Sequence, residues 1–279
     1  MKRSMESSSL KIVICLACCL VAGLGLGVSR GACAPARVLT VYAASSLTQP
    51  FGDLCARFQA SHPDVRVRAS YAGTQELRMQ VEQGARCDVF ASASTTDMDA
   101  LVKAHLVTGP VVFARNRLCL IVYPGQRKVT KLEDLAKPGV RLVVGTAKSP
   151  IGRYTRACWD RMAQSTKYGR AMVDRLKKNV VSEETNVKLV LTKVRLGEAD
   201  AGFVYVSDAF AQKVRVINLP AQVQVRSTYV VGVAREAREA GLAREFNALL
   251  TSPVGSAVLR KYGIDPVHVG ASAPARPGK

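Results

Sequence analysis

Val38-Leu39-Thr40-Val41-Tyr42-Ala43-Ala44-Ser45-Ser46-Leu47-Thr48 is the stretch whose reading decides the fold. Val38 to Tyr42 are β-branched, aliphatic or aromatic, as in a buried strand. Ala43 and Ala44 let backbone approach closely, and then two hydroxyl residues follow. Phe51, Leu54, Cys55 and Phe58 recur at helical spacing, so the spacing predicts a helix over about 50–60 with Ser45 or Ser46 as its N-cap. A strand that runs through a hydroxyl-rich turn into a helix N-terminus makes an anion site. Unpaired backbone N–H groups and the positive end of the helix dipole meet there.

The same grammar repeats outward from this unit. His62-Pro63-Asp64 turns the chain, and Val65–Tyr71 alternates apolar and basic residues as a half-buried strand does. The small, hydroxyl-bearing turn Ala72–Thr74 leads into a helix with Leu77 and Val81 inward, closed by Gly84. Cys87–Ala91 reads as a short strand, followed by a helix over 97–106. This β-α-β-α-β-α order predicts a doubly wound parallel sheet. Val111–Tyr123 is instead one long apolar run, broken only by Arg115-Asn116-Arg117 and with no helix, which predicts an extended crossing to a second lobe. There the pattern restarts: a strand at 140–145, the loop 146–152, helices over 153–162 and about 165–178, then 180–185 and the helix bearing Val187, Val190 and Val194. Ala201–Tyr205 and Val214–Leu219 read as strands, Ser227–Ala234 as a second crossing, and 239–251 and 254–262 as closing helices. The expected architecture is α/β, two doubly wound lobes joined by two extended crossings. Lobe 1 takes 37–115 with 227–266 returning to it, and lobe 2 takes 116–226. Residues 267–279, rich in Ala, Pro and Gly, are expected to be disordered.

The 279 residues are 48% hydrophobic, ample for a sizeable core. The net charge of +19 raises the question of nucleic acid. Its basic residues are scattered and its few aromatic residues fall at core-like positions, so a diffuse basic surface is expected and no nucleic-acid partner. At the N-terminus, Lys2, Arg3 and Lys11 precede an uncharged apolar run, Ile12–Val28, and small residues follow up to Ala36. Residues 1–36 are expected to be a signal peptide directing the chain to the periplasm, with a lipid anchor on Cys33 as the alternative. Removing them takes four cations and one anion from the total and leaves +16. Cys55, Cys87, Cys119 and Cys158 have no C-x-x-C spacing, and His62, His105 and His268 are far apart, which argues against a zinc site. Disulfides and buried free thiols both remain open for the four cysteines. The strand-end loops carry no nucleophile–base pair, so no catalytic residue is assigned. Asp88 and Asp208, beside strands, fit bonds to local backbone N–H groups.

With these residues in place the chain resembles the periplasmic molybdate-binding proteins of ABC-type molybdate/tungstate importers, over essentially all of 38–264. The marks are V-Y-A-A-S-S-L-T at 41–48, F-x-x-x-H-P-D-V at 58–65, Y-A-G-T at 71–74 and Q-G-A-R-C-D-V-F-A-S-A at 83–93. They continue with S-P-I-G-R-Y at 149–154, G-F-V-Y-V-S-D-A at 202–209 and S-P-x-G-x-x-V-L-x-K-Y-G-I at 252–264. The resemblance implies a type II periplasmic-binding-protein clamp and a ligand, molybdate or tungstate, held between the lobes by neutral donors. It implies hydroxyls from Ser46, Thr74 and Tyr205 and backbone N–H groups from Ile151 and Val187. Molybdenum would arrive as its oxyanion through these five residues, with no direct cation site and no cofactor. Two positions depart from the family pattern. Gly73-Thr74-Gln75 replaces a run of serines, and Ile151 stands where a smaller residue is usual. The implied partner is the membrane permease of an ABC transporter, with the chain itself a monomer. A binder of sulfate or another small oxyanion is the alternative, and an enzyme on a related two-lobe fold a further one.

Overall fold

The computed structural model describes residues 37–210 and 212–267. The expected signal peptide, the Cys33 anchor and the tail from 268 onward lie outside the described residues. In chain order the elements begin with β1 (Arg37–Ala44), α1 (Thr48–Ser61), β2 (Val65–Ala72), α2 (Thr74–Glu82), β3 (Val89–Ser92), α3 (Thr95–Lys103) and β4 (Val107–Val122). They continue with β5 (Leu142–Gly145), α4 (Pro150–Gln164), α5 (Gly169–Lys178), β6 (Val180–Glu184), α6 (Val187–Arg195), β7 (Ala201–Tyr205) and α7 (Val206–Ala209). The last are β8 (Arg215–Asn218), β9 (Arg226–Ala234), α8 (Ala240–Thr251), α9 (Pro253–Lys261) and β10 (Asp265–Pro266).

The sheet runs β2-β1-β3-β9-β4-β7-β5-β6, with β8 and β10 also paired to β4. β1 pairs in parallel with β2 and β3, and β5 in parallel with β6 and β7. These are the two parallel halves that the alternating βα pattern requires. The long apolar runs are β4 and β9, antiparallel to each other. The first half of β4 pairs with β9, and its second half, from Leu118, pairs with β7 and β8. One strand, β4, therefore belongs to both halves of the molecule, while β9 pairs only within the first.

Each half has its own core. Leu118–Val225 contribute one cluster, with Leu120, Phe203, Trp159 and Leu176 buried in it. The other half is packed on both faces of its sheet. One face holds Leu39, Phe51, Phe58, Phe113 and Phe246, the other Leu77, Phe90, Met98 and Leu101. Phe246 meets Phe51 and Phe58 edge to face at centroid distances of 5.8 and 5.5 Å. Each such buried ring contributes about 1.5–3 kcal/mol by leaving water. This cluster fixes α1, and with it the turn at β1's end, relative to the returning C-terminal helices.

Local differences from the sequence reading have physical causes. Neither Ser45 nor Ser46 is a helix N-cap. Ser45–Leu47 form a 3-10 turn, and Leu47 occupies the cap position of α1 without a side-chain bond. Thr48 Oγ1 donates to the Ser45 carbonyl at 2.7 Å, and the Ser46 hydroxyl is engaged elsewhere. A second 3-10 turn, Leu132–Ala136, sits where no element was expected and is held by Asp134, whose carboxylate accepts from the Thr130 and Lys131 N–H groups. Gly84 closes α2 with φ of 90°, the left-handed conformation that an L side chain would strain. Cys55, Cys87, Cys119 and Cys158 are free thiols, and burial pushes the last three up to about 12.

Candidate functional site

Every strand-end turn that the sequence marks as small and polar opens on one cavity. From the first half come Ala44–Ser46, Ala72–Thr74 and Ala93. From the second come Pro150, Ile151, Asn186, Val187 and Tyr205. All five predicted residues, Ser46, Thr74, Ile151, Val187 and Tyr205, are therefore brought together, although 159 positions separate the first from the last. The lining contains no charged side chain. Water-sized space within it amounts to about 10 Å³, room for about one water molecule.

The helix starts explain which N–H groups face the cavity. Four N–H groups at the beginning of a helix lack internal partners. In α4, Pro150 has no N–H, and Ser149 Oγ caps the Gly152 N–H at 3.1 Å. Ile151 N–H is left uncapped. In α6, Asn186 Oδ1 takes the N–H groups of Lys188 and Leu189 at 3.0 and 3.2 Å, and Val187 N–H is left uncapped. In both helices the cap residue takes the neighbouring donors and leaves that of a residue lining the cavity. Gly152 is fixed by sterics: a Cβ there would lie 1.9 Å from the Thr146 carbonyl oxygen. The starts of α2, α4 and α6 converge on the same space, and their dipoles add positive potential there.

The hydroxyls are arranged in the same sense. Thr74 Oγ1 accepts from Ala93 N–H at 3.2 Å, which leaves its own proton for the cavity. Ser46 Oγ lies 2.8 Å from the Tyr229 hydroxyl. Tyr205 is 1% exposed, and its hydroxyl has no hydrogen-bond partner among the described residues. Burial pushes this phenol well above its ordinary value, so it stays neutral and keeps its proton. An unpaired buried hydroxyl costs about 1–3 kcal/mol. Its place in the cavity lining makes Tyr205 a candidate donor to a guest there.

The nearby charges are spent on one another. Lys188 Nζ lies 2.9 Å from Asp208, a fully buried carboxylate in α7, so Asp208 meets an ammonium rather than only the local backbone. Burial raises the Asp208 pKa, against the pull of Lys188. Asp88 does bond backbone N–H groups, but distant ones, Thr40 and Glu239. Arg153 reaches from α4 to Asp97 and Ser94 Oγ on the opposite side of the cleft, and Gln75 Nε2 donates to the Thr185 carbonyl at 2.7 Å. Both contacts join the two halves. The sequence reading missed Tyr229, Asn186 and Asp97. Asn186 carried a legible signal, an Asn directly before the helix that bears Val187.

Two α/β halves joined through β4, with a small uncharged cavity between them lined by residues of both, define a solute-binding clamp. The family model for bacterial extracellular solute-binding proteins matches residues 39–265, and the chain belongs to that family. More particularly, it is similar to the molybdate-binding protein ModA of Mycobacterium tuberculosis, at 38% identity over 88% of this chain and 93% of the relative. ModA of Escherichia coli is 28% identical over 87% of this chain and 94% of its own length. Among solved structures, the substrate-binding domain of a putative molybdenum ABC transporter from Clostridium difficile superposes with a TM-score of 0.61 at 29% identity, covering 83% and 99% of the two chains. The Azotobacter vinelandii periplasmic molybdate-binding protein gives a TM-score of 0.70 at 19% identity, covering 81% and 98%, which shows the shared fold. The family consists of solute-binding proteins rather than enzymes. No helix among the described residues is long and apolar enough to cross a membrane.

Proposed function

We propose that the chain captures molybdate, and tungstate as a second ligand of the same shape and charge, in the cavity between its halves. It then hands the oxyanion to the membrane permease of an ABC transporter, acting as a periplasmic monomer after export by residues 1–36, with no catalytic step and no cofactor. The observation that carries this reading is the Tyr205 hydroxyl, buried and without a partner among the described residues, in a cavity that Ser46 and Thr74 also line. The Ile151 and Val187 N–H groups complete a set of donors approaching from both halves. Molybdenum presents only oxygens in this form, so the donor chemistry fits without a cation ligand.

A dianion among neutral, fixed donors is stabilised by charge-assisted hydrogen bonds, each worth about 1.5–3 kcal/mol. A handful of them reaches about micromolar affinity or better after ordering costs. With no countercharge in the lining, selection rests on size and on donor direction. The molybdate-binding and molybdenum-transporter names of the relatives support the same ligand. Titration calorimetry of the chain from residue 37 with molybdate, tungstate, sulfate and phosphate tests it. Heat from molybdate and tungstate is expected, and heat from sulfate without heat from molybdate would overturn the assignment.

A further inference from the structure

Tyr229 and Asn116 lie on the two crossing strands, β9 and β4, outside the cavity lining, yet they meet one of its donors. Tyr229 is fully buried, and its hydroxyl has two partners among the described residues, Ser46 Oγ at 2.8 Å and Asn116 Nδ2 at 3.4 Å. Asn116 is buried as well, and its orientation is settled by its other bonds. Oδ1 accepts from Arg117 N–H at 2.9 Å, and Nδ2 donates to Ser207 Oγ at 2.7 Å. The group facing Tyr229 is therefore an amide N–H₂, which has protons and no lone pair to offer. The Tyr229 proton cannot go to Asn116. Ser46 Oγ is the acceptor that remains, and leaving a buried phenol proton unpaired is costly. Ser46 Oγ, once occupied as an acceptor, directs its own proton into the cavity.

We propose that Asn116 and Tyr229 form a hydrogen-bond relay that locks the Ser46 hydroxyl as a donor to the bound oxyanion. Without the lock, Ser46 turns its lone pairs as readily as its proton toward a dianion, and part of the population is repelled. Both are positioning residues that act through Ser46. The hinge strands thus do more than connect the halves, since each brings one member of the relay to the first half's binding turn.

The inference rests on oxyanion binding at this cavity, and a double-mutant cycle separates the two. Tyr229→Phe keeps the ring and removes the proton. Its molybdate affinity, by titration calorimetry, is expected to fall roughly three- to tenfold in the native background, part of one charge-assisted hydrogen bond. In the Ser46→Ala background the same change is expected to cost less than about twofold, because a residue acting only through Ser46 has nothing left to act on. Equal losses in both backgrounds, or no loss in the first, would overturn the relay. Asn116→Asp supplies a second cycle should Tyr229→Phe fold poorly. An acceptor at 116 draws the Tyr229 proton away and reverses the relay, so affinity is expected to fall at least as much with Ser46 present and far less without it. A general charge effect would cost the same in both. The cycles are run with sulfate in parallel, so a wild-type chain that binds sulfate and ignores molybdate fails the ligand assignment while the relay is still read.

Discussion

Tyr205→Phe is predicted to move binding and unliganded stability in opposite directions. The phenol is 1% exposed, and its ring meets Tyr154 and Tyr229 edge to face at 6.3 and 6.2 Å. Phenylalanine keeps that packing and removes one oxygen. In the complex, that oxygen donates to a dianion, a bond worth about 1.5–3 kcal/mol, so affinity falls by roughly 10- to 150-fold. In the closed unliganded chain the same hydroxyl is unpaired, and its removal returns about 1–3 kcal/mol. For a chain of this size each kcal/mol moves the melting temperature by about 2–4 °C. The assay is thermal unfolding of wild type and variant across a molybdate series. Ligand adds RT ln(1 + [L]/Kd) to stability. The variant should therefore melt higher without molybdate and gain less with it, so the two curves cross. A variant whose affinity stays within about twofold of wild type would refute the role of Tyr205 as a donor. A lower melting temperature without ligand would refute the unpaired hydroxyl.

Three further outcomes follow from other parts of the molecule. Arg153→Ala removes the contact from α4 to Asp97 across the cleft, and as a part-exposed pair it is expected to weaken molybdate by about two- to fivefold, mainly through faster release seen in stopped-flow fluorescence. Gly152→Ala drives a Cβ into the Thr146 carbonyl and is expected to cost roughly 1–3 kcal/mol by denaturant midpoint, whereas Gly52→Ala, with open space inside α1, should gain about 0.5–1 kcal/mol. His62 bonds the Phe58 carbonyl and the Glu245 carboxylate at 2.9 Å each, and these partners raise its pKa above the ordinary 6.5. A raised folded value stabilises fully below pH 6.5 and is lost as pH rises through the folded value, so chemical denaturation should show a pH-dependent step there that His62→Gln abolishes.

The parts of the site that could be read from sequence are those whose signal is local. Val38–Tyr42 followed by Ser45-Ser46, Ser149-Pro150 before Gly152, and Tyr205 at the end of an apolar pentad each announce a strand end or a helix start within a few residues. The two crossings were equally legible, because the long, mainly apolar runs of β4 and β9 have no helical period. Tyr229 and Asn116 were not legible, since Tyr229 is one hydroxyl in a mainly apolar strand and Asn116 sits between two arginines, and only the antiparallel pairing of β4 with β9 brings them together. The cap reading at Ser45-Ser46 failed for a related reason. Tyr229, 183 positions away, claims the Ser46 hydroxyl, and the chain inserts a 3-10 turn before α1. The Arg153–Asp97 contact depends on how the two halves close, which no local pattern encodes.

The central claim is that neutral donors from both halves hold a tetrahedral oxyanion at this cavity. A crystal structure of the chain grown with molybdate, with data collected at the molybdenum absorption edge, tests it most directly. The account predicts one strong anomalous peak within hydrogen-bonding reach of Ser46, Thr74 and Tyr205 on one side and the Ile151 and Val187 N–H groups on the other. A peak elsewhere, or one bound by lysine and arginine side chains on the basic surface, would contradict it.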